Sequence, residues 1–169
     1  MTHLYLDFDG VLHPDNVYDA HGHPELRAHG HLFMHAQILE EALGYHPEVQ
    51  VILSTSWVGV FGYESTLAFL PPKIRQRVVG CTWREPRQVG MYAMDSFSDL
   101  TRFQQIMGHV TANRITNWLA LDDLHSNSQG WLPSYQKHLI LCHPNEGLGD
   151  PAVQAALNTA LMERQWITD

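Results

Sequence analysis

Two aspartates, Asp7 and Asp9, stand one residue apart where the apolar run HLYLDF ends, and Gly10 follows at once. Residues i and i+2 of an extended strand point to the same side, so both carboxylates can face one site while Phe8 packs the other way. Gly10 then permits a backbone path that a Cβ would resist. Two further polar clusters end apolar runs in the same manner: Ser54, Thr55 and Ser56 after VIL, and Asp122 and Asp123 after WLAL. Four carboxylates in one cleft repel each other unless a cation joins them. A hard divalent ion bound through oxygen meets that need, and Mg²⁺ is the usual ion beside phosphate.

The elements that must position these groups are legible as an alternation. The runs HLYLDF (3–8), VQVILST (49–55), VVGCTW (78–83), NWLALDD (117–123) and KHLILCH (137–143) read as strands. They are apolar through most of their length, as expected when both faces of a sheet are covered. Leu32, Ala36, Leu39 and Leu43 predict a helix over 32–44 that Gly44 helps to end. Phe103, Ile106, Met107 and Val110 predict a second, capped by Asp99 or Thr101. A third opens at Asp150 and Pro151, with Val153, Ala156, Leu157, Ala160 and Leu161 as its stripe. The pattern predicts an α/β three-layer fold with a central, mostly parallel sheet of about five strands and right-handed crossovers. Ligands of such sheets bind beyond the carboxyl ends of the strands, where the three polar clusters fall. Segments 14–30 and 84–98 read as long loops, which in a compact domain often carry function.

The 169 residues suit a single domain spanning 1–169. No apolar run reaches the roughly 18 residues needed to cross a bilayer, and no basic leader precedes HLYLDF, so neither a membrane span nor a signal peptide is expected. Cys81 and Cys142 lie in apolar runs and read as buried free thiols, which fits a cytoplasmic compartment. The net charge of -8, with Lys73 and Lys137 the only lysines, disfavours nucleic acid as a partner while leaving room for a local basic cleft. His21, His23, His29, His31 and His35 crowd one segment. They read either as loop and cap histidines or as a zinc or nickel site, although no cysteine joins them.

YLDFDGVL resembles the first motif of the haloacid dehalogenase (HAD) superfamily, a hydrophobic strand followed by D-x-D-G. VILSTSW resembles the second motif and WLALDDL the fourth, and the resemblance runs over essentially the whole chain. The TSW ending is also similar to uncharacterised bacterial members and to the HAD domains of RNA-repair proteins. The resemblance implies a Rossmann-like HAD fold and a Mg²⁺-dependent phosphatase, a phosphoric monoester hydrolase working through an aspartyl-phosphate. It implies Asp7 as the nucleophile, Asp9 as the general acid and base, and Thr55 as a hydrogen-bond donor to a phosphoryl oxygen, with Ser54 and Ser56 as alternatives. Arg102 is the best positional match to the cation of the third motif, with Lys73 as the alternative. The implied metal ligands are Asp7, the backbone carbonyl of Asp9 and Asp122, with Asp123 as a further ligand or as a group that supports them from behind. Gly10 would border the substrate, and Trp57 would either stack on a ring at the mouth of the site or pack beneath the next helix. Dehalogenases of the superfamily do not need the second aspartate, so Asp9 favours a phosphatase or phosphotransferase over a dehalogenase. The gaps between motifs leave no room for a large cap domain, which implies an open site and allows a large phosphorylated substrate. Two other readings stand beside this one: a regulatory HAD-like domain that binds a phosphorylated partner, and a histidine-rich metal-binding protein.

Overall fold

The structure is a computed structural model that describes residues 1–85, 87–89, 93–95, 97–123 and 130–165. Along the chain run β1 (Thr2–Leu6), a hairpin of β2 (Val17–Asp19) and β3 (Pro24–Leu26), α1 (Ala36–Gly44) and β4 (Val49–Leu53). Three short helices follow, α2 (Trp57–Phe61), α3 (Tyr63–Phe69) and α4 (Pro72–Arg75), and lead into β5 (Val78–Cys81). A second hairpin, β6 (Arg87–Val89) and β7 (Ala93–Asp95), precedes α5 (Arg102–Ala112), β8 (Trp118–Asp123), β9 (Leu139–Cys142) and α6 (Pro151–Arg164). The five apolar runs form one parallel sheet in the order β5-β4-β1-β8-β9. The chain moves outward from β1 through β4 to β5, then returns to the other side of β1 with β8. The carboxyl end of β1 is therefore the switch point where α/β sheets open a cleft.

Side-chain alternation divides the core into two layers. Leu4, Leu6, Val51, Leu53, Leu119 and Leu121 pack with Leu39 and Leu43 of α1 and Leu157 and Leu161 of α6. Tyr5, Ile52, Trp118 and Ala120 face the other way, against Ile106 and Val110 of α5. Leu6 is paired with Leu53 on one side and Leu121 on the other. Each fully buried leucine of this kind contributes about 1.5–3 kcal/mol. That packing holds the ends of β1, β4 and β8 in line, and with them the polar residues that follow. The superfamily's Rossmann-like architecture is present without a cap: among the described residues, the only β structure outside the sheet is the two small hairpins and the single bridge between Asp9 and His13.

Several expected boundaries shift for identifiable reasons. The first helix begins at Ala36 rather than Leu32, because Phe33 holds a left-handed backbone at φ 59° that no α-helix contains. Thr101, not Asp99, caps α5, in a reciprocal capping box with Gln104. Asp150 caps α6 by accepting from the Ala152 N–H at 2.8 Å. The buried stripe of α6 is Val153, Leu157 and Leu161; Ala156 faces outward and Ala160 is half-buried. Each of the two expected long loops contains one of the hairpins. Cys142 is buried, Cys81 half-buried, and both are free thiols. No helix among the described residues is long and apolar enough to cross a membrane.

Candidate active site

β1 ends at Leu6, and the Asp7 N–H still donates to the Leu121 carbonyl at 3.1 Å, so Asp7 is the last residue the sheet positions. Its Oδ1 accepts from the Phe8 N–H at 2.8 Å, which turns the carboxylate toward the cleft. The backbone then coils: Val11 and Leu12 both donate to the Phe8 carbonyl, and Gly10 takes φ 68°. On the neighbouring strand the Ser54 N–H donates to the Leu6 carbonyl, which sets Thr55 beside Asp7 at the rim. β8 delivers Asp122 and Asp123 as its last two residues, and the Asp123 N–H donates to Asp122 Oδ1 at 2.9 Å. Arg102, the first residue of α5, reaches in from the opposite layer. Its Nη2 donates to Asp7 Oδ2 at 3.2 Å, its Nε lies 3.1 Å from Asp122 Oδ2, and its Nη1 donates to Gln105 Oε1. A cleft of about 330 Å³ opens above these groups, bordered by Asp7, Asp9, Thr55, Ser56, Arg102 and Gln105 and walled by Trp83 and Phe97. A larger hollow of about 500 Å³ lies at the opposite end of the sheet, around Met1, His3 and His109, and no carboxylate borders it.

The fold brings Asp7, Asp9, Thr55, Ser56 and Arg102 to this cleft, with Asp122 and Asp123 buried beneath it. Lys73, the alternative cation, is on the surface beside Glu40. Ser54 is buried and does not border the cleft; its N–H is held by the Leu6 carbonyl within the sheet. Trp57 does not stack at the mouth: it is 3% exposed, edge-on to Phe8, Phe33, Phe61 and Phe69, and its indole N–H donates to Asp9 Oδ2 at 2.8 Å. His13 and Gln105 were not anticipated as site residues. The fully buried His13 lies 3.1 Å from Asp9 Oδ1, and Gln105 braces Arg102 while donating to the carbonyls of Phe97 and Leu100. Each has a weak trace in the sequence, four residues after Asp9 and three after Arg102.

Residues 3–153 match the family described as the HAD domain in Swiss Army Knife RNA repair proteins. The chain belongs to the HAD superfamily. No curated protein and no solved structure matches it. Membership places this HAD domain in a superfamily of hydrolases, whose members generally use Mg²⁺.

The donor set fits such an ion. One carboxylate oxygen from each of Asp7, Asp122 and Asp123 lies within 4.8 Å of the others, and all three residues are buried. Among the described residues no other group of three or more histidines, cysteines or carboxylates converges in this way, so His21, His23, His29, His31 and His35 form no such centre. An all-oxygen set suits a hard cation, not zinc or nickel. Burial raises the Asp7 pKa well above the usual carboxylate range, and Asp122 and Asp9 push it further up, against the Arg102 guanidinium and the Phe8 N–H. Burial opposes charge on Arg102, but Asp7, Asp122, Asp123 and Asp9 outweigh it and hold the guanidinium more firmly protonated. One arginine among four aspartates leaves excess negative charge, which a divalent cation would neutralise.

Gly10 of the HAD domain is set against Asp123. A Cβ at position 10 would lie 2.6 Å from the Asp123 Cβ, and its φ disfavours any L side chain. Gly10→Ala should therefore cost about 1–3 kcal/mol in urea unfolding, because both strain and displacement of Asp123 act together. Mg²⁺ affinity measured by calorimetry should weaken in the same variant. Wild-type stability with wild-type affinity would show that Asp123 can move away freely.

Proposed function

We propose that the chain is a Mg²⁺-dependent phosphoric monoester hydrolase that works through an aspartyl-phosphate on Asp7. The observation that carries this reading is the Arg102 guanidinium spanning Asp7 and Asp122 at the floor of an open cleft, with Asp9 beside it at the rim. An Asp7 oxygen attacks phosphorus while the ester P–O bond breaks, and the leaving oxygen takes its proton from Asp9. A water then gives its proton to Asp9 and attacks the same phosphorus; the bond to Asp7 breaks and inorganic phosphate leaves. Arg102 and the Thr55 hydroxyl, whose oxygen already accepts from the Trp57 N–H at 3.3 Å, supply donors for the phosphoryl oxygens. Asp7, Asp122, Asp123 and the Asp9 carbonyl would hold the Mg²⁺, which supplies charge neutralisation at the phosphoryl group.

The family description and the capless cleft support an RNA end as the phosphate ester. The half-buried Trp83, backed edge-on at 5.2 Å by the buried Phe97 ring over which the Arg84 guanidinium lies at 5.8 Å, offers an aromatic and cationic surface to a terminal nucleotide. The acidic balance of the whole chain confines such binding to the terminus rather than a long duplex. The test is phosphate release, with Mg²⁺ or with chelator, from 5′- and 3′-phosphorylated oligoribonucleotides, small phosphometabolites and an aryl phosphate. Metal-dependent release, at least about tenfold faster in kcat/KM for oligoribonucleotides than for metabolites, is the expected outcome. Tight binding of phosphorylated RNA with no release from any ester would support a regulatory, non-catalytic domain instead.

A further inference from the structure

We propose that His13 and Trp57 are positioning residues that reserve the Asp9 carboxylate for proton transfer by holding both its oxygens from behind. The inference rests on the phosphatase reading for the identity of the reaction, and on geometry for the clamp. A divalent ion amid Asp7, Asp122 and Asp123 would attract any carboxylate within reach, and Asp9 is two residues from Asp7. Nevertheless the Asp9 side chain is absent from the converging set. Its Oδ2 accepts from the Trp57 indole N–H at 2.8 Å, and its Oδ1 is 3.1 Å from His13 Nε2.

The direction of the histidine contact follows from its other nitrogen. The Phe33 N–H points at His13 Nδ1 at 3.2 Å. A backbone N–H only donates, so Nδ1 presents its lone pair and the ring proton sits on Nε2, directed at Asp9. The ring has no room to turn: His13 is wholly buried, with Phe33 edge-on at 5.1 Å and Trp57 at 5.7 Å. Phe33 keeps its left-handed backbone to place that N–H, a conformation bulky residues adopt only where the surroundings impose it. The chain from Phe33 through His13 to Asp9 thus joins the segment before α1 to the loop after β1. The indole of Trp57 completes it from the start of α2. Asp9 remains about one-fifth exposed, on the side that faces the cleft.

Three variants test the clamp. Trp57→Phe keeps the ring and removes the N–H, His13→Leu removes the second donor, and His13→Gln restores an N–H at similar reach. For kcat/KM, which reports the first phosphoryl transfer, an alkyl phosphate needs the acid and a dinitrophenyl phosphate hardly does. Trp57→Phe and His13→Leu should lower the alkyl ester about thirtyfold and the dinitrophenyl ester about threefold, within the range a displaced acid produces. His13→Gln should recover most of the alkyl activity. Calorimetric titration with Mg²⁺ should show affinity tightened several-fold in Trp57→Phe, as the released carboxylate joins the metal. Equal losses on both esters, with unchanged Mg²⁺ affinity, would make the two residues packing groups only and overturn the clamp. A wild type inactive on every ester would overturn the phosphatase reading. The Trp57→Phe titration alone would then decide the clamp, tightening supporting it and unchanged affinity overturning it.

Discussion

Asp7→Asn should release phosphate at less than about one-thousandth of the wild-type rate, because an amide oxygen cannot form the acyl-phosphate that every later step requires. The same variant should be more stable than wild type without metal. Asp7 is buried against Asp122 and Asp9 as well as Arg102, and its carboxyl pKa is held high by burial first, against the pull of Arg102, with Asp122 and Asp9 adding to the rise. A carboxyl whose folded pKa exceeds its unfolded value favours the fold when protonated. That contribution is fully present below the ordinary value of 3.8 and is lost as pH rises through the raised folded value. Wild-type stability in chelator should therefore carry a decline toward neutral pH that Asp7→Asn lacks, so the variant's advantage grows with pH. Added Mg²⁺ should narrow or reverse the gap, since only the wild type presents three carboxylates to the ion. Thermal unfolding of both proteins from pH 4 to 8, with and without Mg²⁺, measures this directly. Turnover surviving the substitution would remove Asp7 from the chemistry, and an Asn variant that Mg²⁺ stabilises as much as it does the wild type would remove it from the ion as well.

What could be read in advance was whatever depends on strand ends. A parallel sheet must deliver Asp7, Thr55 and Asp122 to one edge once β1, β4 and β8 are neighbours, and the apolar runs before them make those strands readable. Arg102 was readable through the family resemblance, which implies a cation at the head of the helix before the fourth motif, and that helix does begin at Arg102. His13 was not, since its contact with the Phe33 N–H spans 20 residues and depends on a left-handed φ at an aromatic position. Nothing in the sequence marks Phe33 as such a position, and the same conformation delayed the start of α1. Trp57 was half-readable: its burial is the ordinary fate of a tryptophan after a strand. The partner of its N–H depends on where the loop after Gly10 travels. The helices α2, α3 and α4 are four to seven residues each, too short for periodicity to reveal.

Arg102→Met should destabilise the metal-free protein by about 3–5 kcal/mol at pH 8, the cost of removing one partner from a buried ion cluster. The side chain is 9% exposed and touches Asp7, Asp122 and Gln105, so methionine fills the volume of its stem without the charge. Without the guanidinium the aspartates are left with excess charge and bind protons more readily in the folded state than in the unfolded one. The deficit must then shrink as pH falls toward the ordinary carboxylate value and grow as pH rises through the elevated folded pKa of Asp7. Arg102→Lys separates charge from shape. A lysine restores one positive charge but cannot span Asp7 and Asp122 with separate nitrogens, so it should recover stability more fully than turnover. Urea unfolding in chelator across that pH range, paired with phosphate release in Mg²⁺, gives both readouts. A deficit that is the same at every pH, or a lysine no better than methionine, would mean that Arg102 acts by packing. The charge balance assigned to it would then have to come from the metal alone.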